Sequence, residues 1–183
     1  MNLASQKRKE NVAEYILLMW QITDLLRTLQ FDEQKIQQVL VAPLNLPEVQ
    51  AKVELSWYTD LCDVIKQEGK TAAGFISITE YLIGELADFH TRLLNEPNDE
   101  AYKMIVFNAT PAIVAFKEKV ATPQPTDVAY AFYALYSKLL MKLRNTEISR
   151  QTEESFDEIT RMMAYLSKRF GQFERGQFSF TED

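Results

Sequence analysis

From Phe156 to Phe170 the apolar residues Phe156, Ile159, Met163, Leu166 and Phe170 fall in alternating steps of three and four. That spacing lines all five along one face of an α-helix, whereas a half-buried strand would need a period of two. The same signature recurs along the chain. Near the start it gives two stripes, Val12-Ile16-Met19 and Tyr15-Leu18-Ile22-Leu25-Leu29, followed by Val49-Val53-Trp57-Leu61-Val64 beside Leu55-Tyr58-Cys62-Ile65. Phe75-Ile78-Leu82-Leu86-Phe89-Leu93 comes next, then Tyr102, Ile105, Ala109, Ile113, Phe116 and Val120, then Val128-Phe132-Leu135-Leu139. Residues that reverse a chain are sparse, with 5 Gly and 6 Pro in 183 residues, too few for the many turns of an all-β fold. The fold class expected is all-α.

The breaks between stripes set the segments. A first helix is expected from about Gln6 to Leu29, and its two stripes cover more than half its circumference. Such a helix is central, or turns one side to a partner. Phe31 and Ile36 stand at the spacing of a hydrophobic staple around an Asp32 N-cap, and the short helix that follows stops near Pro43. Pro47 suits a first helical turn, and Gly69 ends that third helix. A fourth is expected over about 72–95. The fifth carries Pro111 in mid-pattern, which removes one backbone bond and predicts a kink or break. Thr122–Thr126, with two prolines, is a loop. The sixth helix gathers Lys138, Lys142 and Arg144 at its C-terminal end, where cations complement the dipole. The seventh starts after Ser149 or Thr152, with Asp157 and Arg161 spaced as an i,i+4 pair. Together these describe a single domain over 1–183, a bundle of six to seven mostly antiparallel helices. Residues 171–183 form a C-terminal tail packed by its phenylalanines, with Phe178-Ser-Phe180 the one strand-like stretch.

Composition narrows the chemistry. Hydrophobic residues at 46% and charged residues at 25% are ordinary globular values. A formal charge of −6 opposes generic nucleic-acid binding, which depends on neutralising phosphates. Glu153, Glu154, Asp157 and Glu158 would repel a DNA backbone where a recognition helix needs cations. One cysteine, Cys62, allows no internal disulfide, and its place on an apolar stripe suits an inert core thiol in a reducing, cytoplasmic setting. The apolar run Tyr15–Trp20 is too short for a signal peptide, and no stretch suits a membrane span.

His90 is the only histidine. It points along an apolar face with no acid at i±3 or i±4 to orient it as a base, and a structural role is the expectation. One histidine cannot supply the two Glu-x-x-His units of a helical di-iron site, nor a Cys/His zinc set. No nucleophile elbow and no phosphate-cradling glycine loop is present. Asn108, just ahead of Pro111, stands where a kink would free carbonyls. Tyr130, Phe132, Tyr133 and Tyr136 crowd the sixth helix and suit the wall of a core, pocket or interface.

Lys9–Arg27 (KENVAEYILLMWQITDLLR), Glu85–Leu94 (ELADFHTRLL) and Ala134–Thr152 (ALYSKLLMKLRNTEISRQT) resemble an uncharacterised bacterial family of about this length, described as a domain of unknown function. The resemblance implies a small all-helical cytoplasmic protein and supplies no catalytic residues. The residues point to a non-enzymatic binding or protein-interaction domain, with no cofactor, no metal and no membrane or nucleic-acid partner, whose partner is an unknown protein or a second copy met through the first helix. The alternative is a small-molecule binder or enzyme with a pocket between the fourth, fifth and sixth helices, lined by His90, Tyr102 and Asn108.

Overall fold

The structure, a computed structural model, describes residues 3–181. They form eight α-helices and, among the described residues, no strand. In chain order these are α1 (Leu3–Glu10), α2 (Val12–Thr28), α3 (Glu33–Ile36), α4 (Glu48–Gln67), α5 (Ser77–Leu94), α6 (Glu100–Lys117), α7 (Asp127–Leu143) and α8 (Arg150–Glu174). The count exceeds the six to seven expected because the first helix is split at Asn11. Asn11 leaves helical geometry at φ −157° and ψ 109° and caps α2, accepting from the Ala13 and Glu14 N–H groups. Its Oδ1 also accepts from the buried Ser167 hydroxyl at 2.5 Å, so α8 holds the break in place. Asparagine favours an N-cap over a helix interior because its side chain competes for backbone donors. Here that preference prevails over an uninterrupted apolar stripe.

Asp32 caps α3 through the Lys35 N–H, as the staple pattern requires, and Ile36 is fully buried with Phe31 packed against the same cluster. The chain then winds through a π-helical turn, Gln37–Val41, and a 3-10 turn, Ala42–Leu44, before Asn45 stops it in the left-handed region. Gly69, at φ +68°, terminates α4. The segment expected to open the fourth helix near 72 is irregular up to Ile76. Gly74 there sits at φ +83°, and the Arg27 guanidinium takes up the Lys70 and Gly74 carbonyls. α5 is capped from outside itself: Glu68 accepts from both the Ser77 N–H, at 2.7 Å, and the Ser77 hydroxyl.

Two hydrophobic cores meet on α2. Val12, Ile16 and Trp20 enter the larger one, with Leu86, Phe132, Met162 and Leu166 from α5, α7 and α8. Met19, Ile22 and Leu26 enter the smaller one, with Ile36, Leu61 and Ile65 from α3 and α4. This double duty explains the wide apolar circumference of the first helix without a partner. The α8 stripe Phe156-Ile159-Met163-Leu166-Phe170 is buried throughout. α4 behaves differently, for Val49 and Val53 of its first stripe are 75% and 66% exposed.

The C-terminal tail is packed, as its phenylalanines suggest, but not as a strand. Phe178 and Phe180 lie against Phe89 of α5, with ring centroids at 6.2 and 5.2 Å. Arg92 stands 3.9 Å over the Phe180 ring and Arg169 4.0 Å over that of Phe178. The Thr181 N–H and hydroxyl both donate to Glu96, a buried carboxylate that these bonds hold below its ordinary pKa. Helix α8 runs through Gly171, and Gly176, at φ +68°, comes after its end.

Candidate functional site

The structure brings together two of the three residues singled out as a possible pocket. His90 Nδ1 lies 2.5 Å from the Tyr102 Oη, across the α5–α6 contact. Burial raises the Tyr102 pKa steeply, so the phenol keeps its proton and donates to the imidazole. That bond fixes His90 with Nδ1 as acceptor. Among the described residues no carboxylate hydrogen-bonds the ring, and the field of Asp127 only partly offsets the burial that lowers its pKa from 6.5. Asn108 does not join them: it is exposed on the outer side of α6, in a shallow groove bounded by Phe107, Pro111 and Glu158.

The His90 environment has a measurable consequence. Its folded pKa lies below the unfolded one, so the unfolded chain takes up a proton first as pH falls. The His90 contribution to stability is therefore complete above 6.5 and is lost as pH drops from 6.5 toward the lower folded value. His90→Gln keeps an acceptor for Tyr102 but cannot titrate. The wild-type minus variant difference in unfolding free energy should rise with pH across that window and be flat above it. Denaturant titrations at several pH values would show it, and parallel curves would refute it.

Several charged residues that drew notice in the sequence are engaged in holding helices together. Lys138 bridges Glu153 and Asp157, each at 2.9 Å, tying the end of α7 to the first turns of α8. Arg161 pairs with Glu158 at 2.7 Å, so the expected Asp157–Arg161 pair is replaced by these two contacts. Asp99 caps α6 through the Tyr102 N–H, accepts from the Tyr165 hydroxyl at 2.6 Å and pairs with Arg169 at 3.0 Å. Cys62 is buried, and burial is the largest cause of its raised pKa, consistent with an unreactive thiol.

Besides Val49 and Val53 of α4, the internal structure leaves the apolar residues on the outer face of α6 unaccounted for. Its inner face carries the expected Tyr102, Ala109 and Ile113, all buried. On the opposite side Met104, Phe107 and Val114 are 60%, 74% and 48% exposed, with Pro111 exposed between them. The helix runs unbroken through Pro111. Proline cannot bond back to the Phe107 carbonyl, and on this outer face water can serve that carbonyl instead. Residues 104, 107, 111 and 114 are spaced by three, four and three, the seam pattern of one helix packing lengthwise on another. The spacing was legible in the sequence, but the inner stripe of the same helix is richer and masks it.

A match to a known family spans residues 1–177, taking in every helix described above and the start of the tail. The chain belongs to the family described as Domain of unknown function (DUF4924). No curated protein and no solved structure matches it. The family description carries no activity. Among the described residues, no helix is long and apolar enough to cross a membrane.

Proposed function

We propose that this chain is a non-enzymatic interaction domain that pairs with a second copy of itself through the outer face of α6. The observation that carries the reading is the exposed seam Met104-Phe107-Pro111-Val114. A two-fold interface must be self-complementary, with residue i meeting j and j meeting i. The spacing of this seam reads the same in both directions. Laid antiparallel on its copy, it sets Met104 against Val114 and Phe107 against Pro111, and the flanking exposed residues Asn108 and Thr110 also meet. At the ends Glu100 faces Glu118, a rim contact of small cost because Glu100 is already held by Lys103 at 2.7 Å.

The seam is about 15 Å long at 1.5 Å rise per residue. That places the contact at the small end of specific interfaces, so a reversible, concentration-dependent dimer is expected. Pairing through the first helix is the weaker alternative, because the two cores already use most of its apolar surface. Sedimentation velocity over a concentration series should show monomer and dimer in exchange. Phe107→Glu should yield monomer throughout with an unchanged circular dichroism spectrum, since a side chain this exposed contributes little to the fold. A wild-type chain that stays monomeric at every concentration, or a variant that still dimerises, would remove the reading.

A further inference from the structure

We infer that the cleft between the C-terminal half of α6, the middle of α7 and the start of α8 is a binding site for a small aromatic monocarboxylate. Its volume is about 210 Å³, and Phe116, Met141 and Phe156 form its apolar wall. A cavity of roughly 150 Å³ in an apolar interior is enough to take up benzene, so this one accommodates a single ring with a short polar substituent. The lining is mostly apolar with a few polar groups, as a ligand pocket requires. Lys119 stands at the lining, and among the described residues its ammonium has no acidic partner. That distinguishes it from Lys138 and Lys142, which face a larger apolar groove but are both paired to Glu153.

Three hydroxyls stand on the polar side, of which Ser155 is spent on the Gln151 carbonyl at 3.0 Å. Ser137, also in the lining, has no hydrogen-bond partner among the described residues. Thr152 accepts from the Ser149 hydroxyl at 2.9 Å, which leaves its own proton free to donate. Thr152 lies in the first turn of α8, where the positive end of the helix dipole adds to the Lys119 field. Glu153 and Glu154, the acids that could oppose an anion here, are engaged by Lys138 and Arg150. A ring among Phe116, Met141 and Phe156, with its carboxylate turned to Lys119, Ser137 and Thr152, would use the polar groups that the fold leaves open.

The test is a titration of the ¹⁵N-labelled protein followed by amide chemical shifts. Phenylacetate is the probe, with 2-phenylethanol as its uncharged counterpart. Phenylacetate should give saturable shifts confined to residues around 112–119, 137–141 and 152–159. Lys119→Met should weaken phenylacetate up to about fivefold, the upper scale of one exposed ion pair, and leave 2-phenylethanol unchanged. Ser137→Leu, which fills the cleft with an apolar side chain, should abolish binding of both. No saturable shift up to the solubility limit would overturn the site, as would shifts centred elsewhere. Equal affinity for the two probes, unaffected by Lys119→Met, would overturn its anion selectivity. Dimerisation through α6 stands or falls separately, because it is read by sedimentation without either probe.

Discussion

Trp20→Ala should remove about 3–5 kcal/mol of stability, the largest loss expected from any single truncation in this protein. The indole is 1% exposed and lies parallel to the Phe75 ring at 4.1 Å. Tyr133 and Tyr136 close two further sides at 4.9 and 5.4 Å, and Phe132 approaches at 6.1 Å. Each well-placed aromatic pair adds about 0.5–1.5 kcal/mol to simple burial. The indole N–H also donates to Thr79 at 3.1 Å, and the Thr79 hydroxyl in turn donates to the Ile76 carbonyl. Truncation therefore opens a cavity and unseats Phe75, the anchor of the irregular segment before α5. A chain of this size has a total stability of roughly 5–15 kcal/mol, so the variant should populate partly unfolded species at room temperature. Trp20→Phe should cost much less, because it keeps most of the stack. Trp57, half-exposed on α4, supplies both the internal comparison and the remaining fluorescence probe. Denaturant unfolding would decide the matter: a Trp20→Ala loss no greater than that of Trp57→Ala would refute the central place given to this cluster.

The boundaries that the sequence displays are those written in local chemistry. Asp32 caps its helix as expected, Ser149 caps α8 where the sequence left Ser149 and Thr152 open, Gly69 ends α4 with a positive φ, and the α8 stripe is buried residue for residue. The split at Asn11 was not legible, because the apolar period runs on across it and the partner that fixes it, Ser167, is 156 residues away. Phe75 was read as helical for a similar reason. Its spacing to Ile78 and Leu82 is helical, yet Arg27 from α2 and Gly74 beside it hold the backbone in an irregular path. Tertiary contacts decide such places, and no local pattern records them. The converse failure is Val49 and Val53, whose spacing predicts burial that no neighbouring element supplies.

The candidate site was legible in part. His90 and Tyr102 were each placed on an apolar stripe, and their side chains do meet. Asn108 was grouped with them because Pro111 was expected to bend α6. With the helix continuous, six residues beyond Tyr102 is nearly two turns away and on another face. The seam on the outside of α6 and the cleft near Lys119 both depend on which side of a helix its neighbours cover. A single amphipathic pattern cannot show that when a helix carries two stripes.

Arg169→Met is the second substitution expected to cost heavily, about 2–4 kcal/mol. Asp99 is 3% exposed, and among the described residues Arg169 supplies the one cation that pairs with it. Removing one partner of a buried pair leaves a charge with its desolvation cost uncompensated. The Tyr165 hydroxyl and the Tyr102 N–H remain as donors to Asp99, which keeps the expected loss below the upper end of that class. The same guanidinium covers Phe178, so the substitution also loosens the tail where it crosses α8. The two effects separate experimentally. Adding Asp99→Asn to Arg169→Met removes the stranded charge while keeping a side-chain oxygen to cap α6. The double variant should regain part of the lost stability but not the tail. Tail release should show as faster tryptic cleavage after Arg175, which is exposed. If the double variant is as unstable as the sum of the two single ones, the buried-charge explanation fails. If cleavage after Arg175 is unchanged in both variants, Arg169 does not secure the tail.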